Sequence, residues 1–456
     1  MGICNMEIIS FFLGKAKFIG LILVIILIGH LILGKPRWQF YPLYVVVAAY
    51  GGLILLNFFS DFTLTQRSSK WIIGIGITLT IISVILIIIL PKENLPKPTG
   101  EFKIGTTTFD LEDPSREEIY TEIEGDFRKI KYQIWYPIDN TEGLKKARWI
   151  TDGKALSRQL ASSMYLPSFM LDHTVQIESN SYLDAPISNI KKNYPVVVIS
   201  HGWSGFRELH TDFAEELASN GYIAISIDHT YGSQAVKFND GTVAYLNEEA
   251  LPSEADQGKF KRASNLLATT YGEDVEAVID DLERLNENSG DFSAKLDLDS
   301  LGLLGHSTGG GGDVYTSLKD GRIKALIGLD AWVNPIESKT LAQGLTIPSL
   351  FLRSEQWSIG PNNLALNTLF KNSSDVTLVQ MGETNHVDFS MAYMYSPITK
   401  YIGFTGKLGG RKSSKIQQEF ILSFFERHLV SKDQSDLKYL EDIANRYENI
   451  SIIDVN

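Results

Sequence analysis

The stretch "GLLGHSTGGGGD", residues 302 to 313, holds a serine among glycines in a pattern that can do chemistry. Gly305-His306-Ser307-Thr308-Gly309 matches G-x-S-x-G, in which glycines two before and two after a serine allow a tight strand-to-helix turn that lifts the hydroxyl clear of a sheet. A leucine-rich run precedes the pattern and the helix-like "DVYTSLKDG" follows it, as such a turn requires. A phosphate-binding loop is excluded because no Lys-Ser/Thr follows the glycines. A flexible linker does not fit between two packing elements. Ser307 is therefore expected to be a nucleophile on an elbow.

A serine nucleophile needs a base, an acid to orient the base, and donors for the oxyanion. On a strand–elbow–helix framework the chain order is serine, acid, histidine. Only His386 and His428 follow Ser307. His386 lies in the polar loop "GETNHVDFS" after the last strand-like run, and is the expected base; His428, in "FFERHLV", reads as an ordinary residue of a C-terminal helix. Two acids compete. Asp330 ends "IKALIGLD", one strand after the serine, and Glu355 ends "LFLRSE", two strands after; residue types and positions leave the choice open. The oxyanion donors are expected to be the backbone N–H of Thr308 and, from the loop in "VVVISHGWSGF", that of Trp203. His201 precedes the serine and is expected to shape that loop.

These residues need a sheet to hold them. "RKIKYQIWYP" (128–137) alternates apolar and polar residues as a half-buried strand does. Short continuous apolar runs at 195–200, 222–227, 301–304, 323–329, 347–352 and 376–380 have the pattern of buried parallel strands. Helical patterns separate several of them, as in 212–221, 273–288 and 415–429. The alternation predicts an α/β domain over 101–456, a mostly parallel sheet with helices on both faces.

Upstream, three uncharged apolar segments, 18–34, 38–60 and 71–91, are each read as a transmembrane helix, since roughly 20 helical residues span a bilayer core. No small-residue cleavage site follows the first, which argues against a removed signal peptide. The region 1–91 is thus expected to be a multi-pass membrane region that anchors the chain; its lack of acidic residues within the spans argues against a charged transport path. "PKENLPKPTG" ends it, with 92–100 expected as a linker. Flanking lysines and arginines do not fix which side the catalytic domain occupies, the extracytoplasmic side being slightly favoured. The 456 residues carry a net charge of −12, and the excess acid lies beyond residue 90, which disfavours nucleic acid as a partner. Cys4 is the single cysteine, so intrachain disulfides and cysteine zinc cages are excluded. The serine chemistry outlined requires neither metal nor cofactor.

At "YPVVVISHGWSGF", "GLLGHSTGGGG", "ALIGLDAWVNPI" and "ETNHVDFS" the chain resembles the calcium-independent platelet-activating factor acetylhydrolase family of lipoprotein-associated phospholipase A2 type, over about residues 100 to 430. The resemblance implies an α/β-hydrolase fold and a serine esterase acting on short or oxidised acyl esters of phospholipids. It implies that the acid is Asp330, the aspartate of Leu329-Asp330-Ala331-Trp332, and that Trp203 and Thr308 are the oxyanion donors. Trp203 stands where the mammalian enzymes have a smaller residue, which bears on pocket shape and acyl-length preference. Rival readings are a general carboxylesterase, lipase or polyester hydrolase on the same triad, or a non-catalytic membrane-bound binding protein. The aromatic stretch 389–404 reads equally as an apolar wall for a lipid chain and as packing for the last helix.

Overall fold

The computed structural model describes residues 18, 21–22, 24–34, 36–60, 64–431 and 438–455. The chain falls into two compact units, residues 1–92 and 93–456.

Among the described residues of the first unit two helical stretches, Trp38–Asn57 and Gln66–Ile89, are long and apolar enough to cross a membrane. They correspond to the second and third expected spans. Thr65 caps the helix Gln66–Ile89, its hydroxyl accepting the Ser68 N–H at 3.2 Å. Within this unit the Ser83 hydroxyl donates to the Gln39 carbonyl (2.6 Å) and the Tyr50 hydroxyl to the Ile72 carbonyl (3.2 Å). Of the first expected span, 18–34, the part Val24–Leu33 forms a shorter apolar helix; residues 19, 20 and 23, and the upstream "IISFFLG", lie outside the described residues.

Among its described residues the second unit has thirteen strands. They are β1 (Lys103–Glu117), β2 (Phe127–Ile138), β3 (Lys146–Arg148), β4 (Glu178–Leu183), β5 (Tyr194–Ser200), β6 (Ile223–Asp228), β7 (Ala235–Lys237), β8 (Val243–Tyr245), β9 (Leu296–His306), β10 (Ile323–Leu329), β11 (Ser349–Ser354), β12 (Val376–Met381) and β13 (Ile450–Ile453). Strands β7 and β8 form a separate hairpin, and the rest form one sheet in the order β13-β12-β11-β10-β9-β5-β6-β2-β1-β4-β3. Its centre, from β6 through β12, is parallel. Antiparallel β2 and β13 flank that centre. Every one of the six continuous apolar runs is a strand of the parallel centre, because a strand covered by helices on both faces must be apolar on both.

The two covers are distinct. On one face Val275, Val278, Ile279 and Leu282 of the helix Gln257–Glu287 pack on Val196, Val198, Leu301 and Leu303. On the other, Phe213 and Leu217 of the helix Thr211–Ser219, with Ile416, Phe420 and Phe424 of Gly410–Phe425, pack on Val197, Ile199 and Leu304. Successive strand residues face opposite sides, so 196/198 and 197/199 serve different cores.

Residues 93–100 are fastened to this unit. Leu95 is buried, Asn180 Nδ2 donates to the Pro96 carbonyl (2.8 Å), Thr99 N–H donates to Glu216 (2.9 Å), and Arg411 pairs with Glu93 (2.8 Å). The stretch expected as a linker thus runs as a strap over the helices Thr211–Ser219 and Gly410–Phe425.

Candidate active site

In a parallel sheet every strand ends on the same edge, and crevices open where neighbouring connections diverge. Here β5 and β9 are neighbours, so the loop after β5 and the turn after β9 lie side by side. Ser307 follows β9 and precedes the helix Thr308–Ser317, with φ 55° and ψ −121°, a conformation that costs a non-glycine residue of order 1–3 kcal/mol. The strain is held by bonds on both sides: Ser307 N–H donates to the Leu329 carbonyl (3.0 Å), while its carbonyl accepts from Trp332 (2.8 Å) and Gly311 (3.0 Å). A Cβ at Gly309 would sit 2.5 Å from the carbonyl oxygens of Ser200 and His201, so only glycine lets the helix start this close to β5.

The three side chains named from the sequence come together here. Ser307 Oγ lies 2.9 Å from His386 Nε2, and His386 Nδ1 lies 3.1 Å from Asp330 Oδ2. Asp330 is buried just past β10 at φ 41°, and its carboxylate also accepts the Ser354 N–H (2.7 Å) and hydroxyl (2.6 Å). A carboxylate accepting three bonds in a fixed plane presents one oxygen to the imidazole and sets the N–H on Nδ1, leaving Nε2 free to take a proton. Glu355 is placed elsewhere: it is exposed, and its carboxylate accepts the Glu383 N–H (2.7 Å), tying down the loop that carries His386. His428 is also apart, with Nε2 3.2 Å from the Tyr439 hydroxyl and its ring against Phe424.

The loop after β5 is built to aim one peptide. The Gly202 carbonyl accepts from His201 Nδ1 (2.7 Å) and from Gly205 N–H (2.9 Å). In a trans peptide the C=O and the following N–H point in opposite directions, so fixing the Gly202 carbonyl fixes the Trp203 N–H the other way. Gly202 abuts the serine, since a Cβ there would lie 2.7 Å from Ser307 Cβ and 3.3 Å from its Oγ. Thr308 is the first residue of its helix, where an N–H has no intrahelical acceptor. His201 is itself held by the Ser233 hydroxyl on Nε2 (2.8 Å), and burial pushes its imidazole well below the usual value, so it stays neutral. The loop-shaping part expected of His201 has this physical form.

Several contributors escaped the sequence reading. Trp357 stacks on His386, ring centroids 4.0 Å apart and planes 2° apart. Gln356 accepts the His386 N–H on Oε1 (2.9 Å), and His306 Nε2 donates to the His386 carbonyl (3.0 Å). Burial, with His386 and His210 nearby, holds the His306 imidazole well below its ordinary value. The usable signal was position: Gln356 and Trp357 follow β11 at the same sheet edge as Asp330. Asp313, on the helix after the elbow, accepts the Ser200 hydroxyl (2.8 Å), and burial pushes its carboxyl up to about 8. Among the described residues no cluster of three or more metal-binding side chains occurs.

A mostly parallel sheet, a serine on a strand-to-helix elbow, and a histidine and acid on later strand ends define an α/β-hydrolase. Comparison with known proteins narrows this. The family model for platelet-activating factor acetylhydrolase, isoform II, matches residues 87–249 and 257–446. The platelet-activating factor acetylhydrolase of Bos taurus is 26% identical over 383 residues, covering 75% of this chain and 79% of that protein. That of Cavia porcellus is 24% identical over 391 residues, covering 80% and 83%. A probable 1-alkyl-2-acetylglycerophosphocholine esterase of Arthroderma benhamiae is 22% identical over 391 residues, covering 79% and 94%. Among solved structures, a ferulic acid esterase from Streptomyces cinnamoneus matches with TM-score 0.62 at 20% identity, covering 80% of this chain and all of that one, a likeness of fold. The chain belongs to the platelet-activating factor acetylhydrolase, isoform II, family, and it is an ester-hydrolysing enzyme.

Proposed function

We propose that the protein is a membrane-anchored serine esterase that removes short or oxidised acyl groups from phospholipids through an acyl-enzyme on Ser307. The observation that carries this reading is the continuous relay Ser307 Oγ–His386 Nε2 at 2.9 Å and His386 Nδ1–Asp330 at 3.1 Å. Ser307 Oγ attacks the ester carbonyl as its proton passes to His386 Nε2. The oxyanion forms against the N–H groups of Trp203 and Thr308, each such donor contributing roughly 3 kcal/mol. His386 then protonates the departing alcohol oxygen, and the same nitrogen activates the water that releases the acid and restores Ser307. The choice of a 2-acetyl phospholipid as substrate draws on the family, whose members include proteins named for that esterase activity. Anchoring draws on the two helices long and apolar enough to cross a bilayer.

The test is acetate release from 1-alkyl-2-acetylglycerophosphocholine by the full-length protein in detergent, with Ser307→Ala beside it. The wild type should turn over and the variant should fall by at least 10⁴-fold with an unchanged thermal transition. Comparable rates for the two would overturn the reading.

A further inference from the structure

The oxyanion loop also carries a bulky side chain whose surroundings bear on which acyl group fits. The indole of Trp203 is partly buried and packs against a cluster of Ala250, Leu267 and Tyr271, with Tyr120 and Leu251 beside it. The rings that pack on His386 are those of Trp357 and His306, and neither belongs to that cluster.

The chemistry orders the two sides. In the tetrahedral intermediate the oxyanion faces the donors, and the departing oxygen must face His386 Nε2 to receive its proton. The acyl chain leaves the same carbon in a third direction, away from His386, within a site bordered by the loop after β5, whose Gly202 abuts Ser307. We infer that Trp203 is the acyl-length gate of this enzyme, its indole filling the space in which a longer acyl chain would lie and so restricting the site to short acyl esters. This rests on the esterase reading given above.

The wall behind Trp203 does not yield. Tyr271 is buried and stacks on His229 at 3.8 Å and 14°, and His201 meets both rings edge-on. His229 Nδ1 lies 3.1 Å from Asp274, which Arg128 grips at 2.6 and 2.9 Å. Space for a longer chain must therefore come from the indole itself. Its removal need not remove the donor, because the N–H belongs to the backbone and the Gly202 carbonyl keeps its two bonds.

The test is kcat/KM of the full-length protein in detergent on p-nitrophenyl acetate, butyrate, hexanoate and octanoate. Trp203→Ala is compared with Trp203→Leu and Ser307→Ala, and a fluorophosphonate probe reports whether each Trp203 variant keeps a reactive Ser307. The wild type should favour acetate and butyrate. Each methylene newly accommodated is worth about fourfold, so the octanoate-to-acetate ratio should rise at least tenfold in Trp203→Ala and by a smaller factor in Trp203→Leu. Should Trp203→Ala fail to fold, the Leu variant decides on the same ratio. A wild type that hydrolyses octanoate as well as acetate, or folded variants whose ratio stays within twofold of wild type, overturns the gate. Either result beside an inactive Ser307→Ala leaves the esterase reading standing, whereas an active Ser307→Ala removes that reading first.

Discussion

The placement of the oxyanion peptide can be tested with one methyl group. In Gly202→Ala the new Cβ would sit 2.7 Å from Ser307 Cβ, 3.3 Å from Ser307 Oγ and 3.3 Å from His306 Nδ1. Carbon atoms rest at about 3.5–4.0 Å, so the loop and the elbow must part by about 1 Å. The elbow resists, since Ser307 is held by Leu329, Trp332 and Gly311. The loop is then the part that moves, and the Trp203 N–H moves with it. A 1 Å misplacement of a reacting group costs about 10²-fold, and loss of a whole oxyanion donor about 10²–10³. Gly202→Ala should therefore lower kcat on p-nitrophenyl butyrate by 10²- to 10³-fold with KM changed far less, because the donor acts mainly on the charge of the transition state. Steady-state kinetics beside a thermal melt separates this from unfolding. A folded Gly202→Ala with kcat within threefold of wild type would refute the argument that this peptide holds the oxyanion.

Two further outcomes follow from the same geometry. Asp330→Asn leaves the shape intact but reverses the hydrogen bond to His386 Nδ1, and kcat should fall by about 10⁴-fold; Glu355→Gln, whose carboxylate accepts the Glu383 N–H, should stay within tenfold, and the opposite ranking would make Glu355 the acid. Asp313, neutral when folded up to about pH 8 and ionised above pH 4 when unfolded, holds its proton more tightly in the folded state. Its contribution to stability is therefore full below about pH 4 and is lost as pH rises towards 8, so the melting temperature of Asp313→Asn should gain on that of wild type between pH 5 and pH 9; a pH-independent difference would refute it.

The parts of this molecule that were legible in the sequence are those that obey local rules. The apolar runs of β5, β6, β9, β10, β11 and β12 announce themselves because a doubly covered strand has no polar face to show. The elbow is legible because a serine forced to φ 55° needs small neighbours on both sides. Which acid faces His386 was not legible from residues alone. Asp330 and Glu355 both end parallel strands, and what separates them is a three-dimensional fact, that Ser354 turns the Asp330 carboxylate towards His386 while Glu355 reaches back to Glu383. The resemblance to a family supplied what spacing did not. Trp357 and Gln356 went unread because a stack and a backbone bond leave no periodic trace. The strap 93–100 read as a linker because proline and lysine mark loops, and neither marks whether a loop is free or fastened.

The claim that Ser307 forms the acyl-enzyme is reached most directly by trapping. Full-length protein mixed with p-nitrophenyl butyrate and quenched in acid within the first turnovers should show, by peptide mass spectrometry, one butyryl group on the fragment containing Ser307 and none in Ser307→Ala. Steady turnover with the acyl group on another residue, or with no acyl group on the protein at all, would contradict the account.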